Sequence, residues 1–228
     1  MPDRLSIKRS GFIGENRYAH LLDNAFNRAL ALDGTLPDAV RDMLGMSGKT
    51  YRLLINNLVG SMPEARYLEV GSWAGSTACS AMVGNRVTVV CIDNWSEFGG
   101  PKDLFLANTE ACRTPNIAFT FIESDFRAVD YGAIGRFNIY LFDGPHSQQD
   151  QYDGLAMAMP ALDDQFIFIV DDWNWQAVRD GTFAAIAAVG LHVLYAFEIR
   201  TTQDNNHAAV SQQESDWHNG YFIAVLSK

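Results

Sequence analysis

Apolar and polar positions follow two rhythms along this chain. From 16 to 32 the apolar residues Tyr18, Leu21, Leu22, Phe26 and Leu30 recur at helical spacing, and 48–59 repeats the pattern with Tyr51, Leu54, Ile55 and Leu58. Between them, 37–44 opens on Leu36-Pro37-Asp38 and reads as a short helix. Beyond Gly60-Ser61-Met62-Pro63, short apolar runs take over at 66–70, 87–92, 117–122, 137–142 and 166–170. Helical segments separate them at 74–82, 102–112, 148–159 and 175–189, while the link 126–135 has room only for a helical turn. Strands alternating with helices predict a parallel, doubly wound sheet. The last two runs, 191–199 and 221–226, have no helix between them and predict an antiparallel pair. The expected fold is therefore α/β, with a seven-stranded sheet of five parallel strands plus an antiparallel C-terminal pair. Residues 1 to about 15 read as a polar tail or loose cover. The helices within 1–62 read as a cover on a 63–228 core, all in one domain. The segment 201–220 is long for a hairpin and is expected either to reach over a site or to be mobile.

Composition narrows the function classes. At 228 residues and 48% hydrophobic content the chain can bury one sizeable core. Its 17 basic and 27 acidic residues leave a net charge of −10 without any Lys/Arg cluster, which argues against nucleic acid as a partner. Three cysteines without C-x-x-C spacing fit reduced thiols in a cytosolic protein. No apolar run is long enough for a bilayer or a signal peptide, so the expectation is a soluble, cytoplasmic protein with no membrane partner. A homo-oligomer remains compatible with all of this.

Candidate chemistry collects at the carboxyl ends of the strands, where open α/β sheets bind ligands. The run 137–142 stops on Asp143-Gly144-Pro145-His146, and 166–170 stops on Asp171-Asp172-Trp173. If these strands are neighbours, Asp143, His146, Asp171 and Asp172 share one small volume. Three carboxylates and an imidazole suggest a hard divalent cation such as Mg²⁺ with a base beside it, because clustered carboxylates repel unless neutralised. Taken singly, the acids also suit a helix cap and Gly144-Pro145 suits an ordinary turn. Trp173 and Trp175 could supply a flat wall for a sugar or aromatic ring, or simply pack. His20, His192, His207 and His218 have no evident partners and read as surface or core.

The first strand ends in Glu69-Val70-Gly71-Ser72-Trp73-Ala74-Gly75, a glycine turn into a helix start where a ligand can approach the backbone closely. The next strand ends on Asp93, placed to accept the two hydroxyls of a ribose. The spacing matches neither the dinucleotide G-x-G-x-x-G nor the phosphate-cradling G-x-x-x-x-G-K-[ST] motif. E-x-G-x-x-x-G, an acid ending the second strand and Ser124-Asp125 after the third together resemble the class I S-adenosylmethionine-dependent methyltransferases, over roughly 51–228. The resemblance implies that Glu69, Gly71, Ser72 and Gly75 form the cofactor loop and that Asp93 holds the ribose. It also implies that Ser124 and Asp125 border the adenine, with Ser47, Gly48 and Thr77 near the methionine end.

The second half resembles the metal-dependent O-methyltransferases. Catechol-type members show Asp, a Lys three residues on, then Asp-Asn. Members acting on sugar hydroxyls of macrolide and aminocoumarin antibiotics show Asp, His three residues on, then two adjacent acids, and this chain is more similar to those. The resemblance implies Asp143, Asp171 and Asp172 as metal ligands and His146 as general base, acting with Asp143 on a hydroxyl of a small molecule, a sugar or glycosylated natural product. Three alternatives stay open: a catechol or caffeoyl-type phenol methyltransferase, a non-catalytic S-adenosylmethionine-binding domain, and a nicotinamide dehydrogenase, the last disfavoured by the missing glycine motif.

Overall fold

The computed structural model describes residues 5–228. Eight strands form one sheet in the order β1-β7-β8-β6-β5-β2-β3-β4. The parallel centre is β2 (Ala65–Val70), β3 (Val87–Asp93), β4 (Ile117–Glu123), β5 (Phe137–Phe142) and β6 (Leu162–Val170). Antiparallel to it run β8 (Tyr221–Ser227) beside β6 and β7 (His192–Arg200) beside β8. Nearly every expected boundary holds to within two residues. The exceptions are α2 (Asp38–Arg41), a single turn, and β6, which starts four residues early through exposed or half-buried Asp163-Asp164-Gln165.

The strand count is the correction. The expected tail contains β1 (Ser6–Gly11), which pairs antiparallel with β7 and makes the sheet eight-stranded; residues 1–4 of that tail lie outside the described residues. The sequence Ser-Ile-Lys-Arg-Ser-Gly hides this strand because only Ile7 and Ser10 in it are even half-buried. Polar, charged edges of this sort discourage pairing with other chains.

Side chains on the central strands alternate between two apolar layers. On one face Tyr67, Ile139, Leu141, Ile167, Ile169 and Ile223 meet helices α1 (Arg17–Leu30), α3 (Lys49–Ser61), α4 (Ser76–Met82) and α5 (Lys102–Ala111). On the other, Leu68, Tyr140, Phe142, Phe168 and Phe222 meet α6 (Gln148–Ala158) and α7 (Gln176–Ala188). Strands covered on both faces read as unbroken apolar runs, which is why they were legible. The N-terminal helices are not an added cover: every residue of α3 from Thr50 to Val59 is buried, so this helix is an inner part of the first layer. No described helix is long and apolar enough to cross a membrane.

The chain runs from β2 outward through β3 and β4, then returns to lay β5 on the other side of β2. The loops after β2 and β5 therefore part at a crevice, the usual ligand position in such sheets. Gly71 makes their close approach possible. Its φ is +84°, and a Cβ there would sit 1.8 Å from the Asp143 carbonyl oxygen. Gly71→Ala should accordingly destabilise the fold by about 2–4 kcal/mol, the range for strain plus a backbone clash. Denaturant unfolding measures this, and a loss below about 0.5 kcal/mol would mean the two loops are free to separate.

Candidate active site

The crevice at this switch point encloses about 510 Å³. Gly71, Ser72 and Thr77 line it from the first loop, Asp93, Ser124 and Asp125 from the ends of β3 and β4, and Ser47 from the segment before α3. Asp143, His146, Asp171 and Asp172 line its other end. Two expected cofactor residues lie outside the lining. Gly75, in a left-handed conformation, lets the start of α4 pack on the Phe105 ring, and Glu69 sits fully buried near the end of β2.

Asp93 ties two loops together: its Oδ2 accepts the Trp73 N–H at 2.8 Å and its Oδ1 the Trp95 N–H at 2.7 Å. Each oxygen keeps a further lone pair for a ligand hydroxyl. Glu69 Oε2 accepts the Tyr67 hydroxyl at 2.6 Å, whereas Glu69 Oε1 and Ser72 Oγ are buried without partners. Such orphaned oxygens beside a cavity fit a missing polar ligand. Burial pushes the Glu69 carboxyl up to about 7, against the hydrogen bonds that favour its ionised form.

Arg52 was not singled out in the sequence, since it lies within a helix read as packing. It is fully buried and has no carboxylate partner. Its Nε donates to Ser47 Oγ at 2.8 Å, and its terminal nitrogens donate to the carbonyls of Arg41, Met43 and Gly45. Burial lowers the guanidinium to about 10, still charged at neutral pH. This clamp sets the segment carrying Met46 and Ser47 against the crevice.

At the other end, local sequence explains the placement. Ser147 and Asp150 form a reciprocal capping box that starts α6 immediately after His146. At the end of β6, Asp172 takes a positive φ of 54°, and both it and Asp171 are buried at the crevice. Neighbouring side chains on a continuing strand would instead diverge to opposite faces. Trp73 (43°) and His218 (42°) also have positive φ, so strained backbone gathers here.

His146 Nε2 lies 2.9 Å from Asp172 Oδ2 and 3.8 Å from Asp143 Oδ1, yet it is off the line of a hydrogen bond to either. Burial alone would lower this imidazole's pKa, but the two carboxylates outweigh it and raise it to about 10. Burial raises Asp143 to about 6 and, with the charges of Asp143 and Asp172, lifts Asp171 well above the carboxylate range. Asp172 is held below its ordinary value: burial opposes ionisation, and His146 overcomes it. Asp171 Oδ1 is buried with no partner.

Two histidines with no expected role, His207 and His218, also line the crevice. Donor atoms of Asp171, Asp172 and His218 lie within 4.8 Å of one another, as a metal site would require. The His218 tautomer argues against ligation. Its Nδ1 accepts the Gln212 backbone N–H at 2.9 Å, so in the neutral ring Nε2 carries the proton and has no lone pair for a cation. The oxygens of Asp171 and Asp172, with Asp143 lining the same crevice, are the hard donors present here. Trp175 lines the crevice edge-to-face with His146 and His207. Trp173 does not: it is buried, stacked on Phe222 at 4.6 Å. The segment 201–220 is a wall of the crevice, contributing His207, Ser211, Gln212, His218 and Asn219.

No protein-family model matches the sequence, and no curated protein matches it either. Solved structures do. The O-methyltransferase TomG of Streptomyces achromogenes, involved in tomaymycin synthesis and seen with S-adenosylmethionine, is similar at 13% identity and TM-score 0.56, over 91% of this chain and 90% of that one. An RNA methyltransferase candidate of Pyrococcus horikoshii is similar at 16% identity and TM-score 0.53, over 90% and 96%. TrmN of Thermus thermophilus is similar at 16% identity and TM-score 0.53, covering 89% of this chain. This chain has the class I methyltransferase fold. It spans about half the length of TrmN (52%) and of a methyltransferase candidate from Streptococcus mutans (48%).

Glu69 yields a test that needs no ligand. Its raised pKa means that the native state holds its proton between about 4.5 and about 7, where the unfolded chain has released it. Stability should therefore fall as pH rises through that window, by about 3 kcal/mol at 1.36 kcal/mol per unit. Asp143 and Asp171, also raised, add to the same slope, so Glu69→Gln should make it shallower by about that amount in urea titrations of the ligand-free protein. An identical slope in the variant would show Glu69 ionising freely in the native state.

Proposed function

We propose that this chain is an S-adenosylmethionine-dependent O-methyltransferase acting, with a divalent cation, on a hydroxyl of a small neutral acceptor such as a sugar or glycosylated natural product. The observation that carries the reading is the trio of buried Asp171 and Asp172 and half-buried Asp143, with an unpaired Asp171 oxygen among the described residues, in the same crevice as the glycine turn and Asp93. In this reading Asp93 hydrogen-bonds the ribose, Ser124 and Asp125 border the adenine, and Gly71, Ser72, Thr77 and Ser47 surround the methionine end. Glu69 supports that end from beneath, and Gly75 supports the turn. The N-terminal segment 1–62 and the remainder 63–228 act as one domain.

Asp143, Asp171 and Asp172 would hold the cation, Mg²⁺ or another hard ion, and a cation bound there supplies Lewis acidity that brings an alcohol's pKa toward neutrality. His146 Nε2 would accept the hydroxyl proton, and S-adenosylmethionine bound in the crevice would supply the methyl group to that oxygen. A base must be neutral to do this. The carboxylate charges that raise His146 to about 10 are the ones a cation offsets, so base function and cation occupancy are linked. Trp175 offers a flat wall to the acceptor, a surface that a phenol would also fit.

The lining supports a neutral acceptor over a nucleic acid. Six carboxylates, those of Asp93, Glu97, Asp125, Asp143, Asp171 and Asp172, face the crevice, and no lysine or arginine does among the described residues. A phosphate backbone would meet repulsion where nucleic-acid sites provide cations.

Two measurements test this. Asp93→Ala should weaken binding of S-adenosylhomocysteine by about 10–100-fold in calorimetry, the equivalent of about 1.5–3 kcal/mol for bonds to a charged acceptor. Unchanged affinity would remove Asp93 from the cofactor site. Asp171→Ala and Asp172→Ala should abolish cation-dependent transfer, in a tritiated-methyl screen over sugars, glycosylated products and catechols, while leaving S-adenosylhomocysteine affinity within about threefold. Full transfer in excess chelator would overturn the cation's part.

A further inference from the structure

Asn219 occupies a position that neither the fold nor the proposed chemistry requires by itself. It is 1% exposed, on the last turn before β8, with its amide between the crevice carboxylates and the wall 201–220. The amide has one possible orientation. Its Oδ1 accepts the Ala208 backbone N–H at 3.0 Å, and a backbone N–H can only donate, so oxygen and nitrogen cannot be exchanged. Nδ2 therefore has two hydrogens to place. One goes to Asp172 Oδ1 at 2.7 Å, and the other to His207 Nδ1 at 3.1 Å. Because His207 Nδ1 accepts, the neutral ring carries its proton on Nε2, across the ring. That nitrogen has no protein partner among the described residues.

The same wall is tied down from its other end. Asn174 Oδ1 accepts the N–H groups of Thr201 and Thr202, and its Nδ2 donates to Thr201 Oγ1. The Asn174 N–H in turn donates to the Asn219 carbonyl at 2.9 Å. Residues 203–207 between these anchors are exposed; Arg179 holds the Asn205 side chain at 2.7 Å, and the Asn219 amide holds His207.

We infer that Asn219 is a positioning residue that joins Asp172 to His207, making cation binding at Asp172 and the ordering of the acceptor wall one linked equilibrium. His207 is thereby held with an N–H donor beside Trp175, where the acceptor ring would lie. The donor selects for an acceptor oxygen next to the reacting hydroxyl. The inference rests on the proposed cation at Asp143, Asp171 and Asp172, and extends it to a residue outside the ligand set. Partners that orient a metal ligand typically change metal affinity by 10–100-fold when removed.

The test uses the full chain, Mn²⁺ as the probe cation and S-adenosylhomocysteine as the fold control. In the wild type, Mn²⁺ should bind by calorimetry and slow amide hydrogen exchange across 203–212. Nitrogen-15 NMR of the metal-free protein should show His207 as the Nε2–H tautomer. Asn219→Ala should weaken Mn²⁺ by about 10-fold or more, abolish the slowing of exchange and release the tautomer, with S-adenosylhomocysteine affinity unchanged. His207→Gln, which keeps the Asn219–Asp172 bond, should retain Mn²⁺ affinity within about twofold but lose the slowing of exchange. If the wild type binds S-adenosylhomocysteine and not Mn²⁺, the cation reading fails and this inference with it. If Mn²⁺ binds and Asn219→Ala leaves both affinity and exchange as in the wild type, or if His207 shows the Nδ1–H tautomer, the inference fails alone.

Discussion

The crowding of three carboxylates, two of them buried, where the sheet divides is the constraint on which the crevice depends. Two like charges about 4 Å apart repel by about 4 kcal/mol even at an effective dielectric near 20, against a whole-domain stability of about 5–15 kcal/mol. A fully ionised trio with no counter-charge would consume much of that. The chain meets the problem in part by protonation: burial, with the charges of Asp143 and Asp172, holds Asp171 well above its ordinary value. It also meets it with His146, whose positive charge steadies Asp172. Neither device satisfies Asp171 Oδ1, which stays buried and alone. The arrangement is costly for a protein that uses it only for packing and apt for one that holds a cation.

Holding those groups together requires backbone that would be unfavourable elsewhere. Gly71 brings the loop after β2 against the backbone of Asp143, and the left-handed turn at Asp172 keeps a second carboxylate in the crevice beside Asp171. The strain is offset by buried polar ties. Arg52 spends its guanidinium on four carbonyls and a serine, and Asn174 and Asn219 lace the far wall to the end of β6. Each tie is formed of groups that would be expensive to leave unpaired. The crevice is therefore shaped before any ligand arrives.

How much of this was legible depended on which physical signal each part leaves. Strands covered on both faces leave continuous apolar runs, so the five parallel strands and the C-terminal pair could be read directly. The edge strand β1, with two half-buried residues in six, leaves none, and the polar start of β6 is silent for the same reason. Residues at strand ends were legible because an apolar run stopping on an acid is conspicuous. Asp93, Asp143, His146, Asp171 and Asp172 reach one crevice as their positions implied. Arg52, His207, His218 and Asn219 were not legible, since each acts through partners distant in sequence: Asn219 meets Asp172 across 47 residues. The two tryptophans show the limit of local reading. Trp173 and Trp175 are two apart on a chain that turns between them, so one enters the core and the other the crevice.

The distribution of charge around the crevice also constrains what can occupy it. S-adenosylmethionine carries a sulfonium and an ammonium against one carboxylate, and a divalent cation adds two more positive charges. These suit the acidic lining, and both bring positive charge to the same wall of carboxylates. Apart from the His146 imidazolium, which already faces Asp172 and Asp143, a third occupant bearing a phosphate or carboxylate could find its counter-charge only in that cation or cofactor, because the other surrounding side chains are acidic, neutral or aromatic. The rings of His146 and His207 meet Trp175, and Gln212, Asn219 and Ser211 line the same crevice. Groups of this kind exchange hydrogen bonds with hydroxyls at little desolvation cost, whereas an anion there would give up its hydration for neutral donors. On the proposed function, electrostatics and hydrogen-bond chemistry point the same way, to an uncharged, oxygen-bearing acceptor lying against an aromatic face.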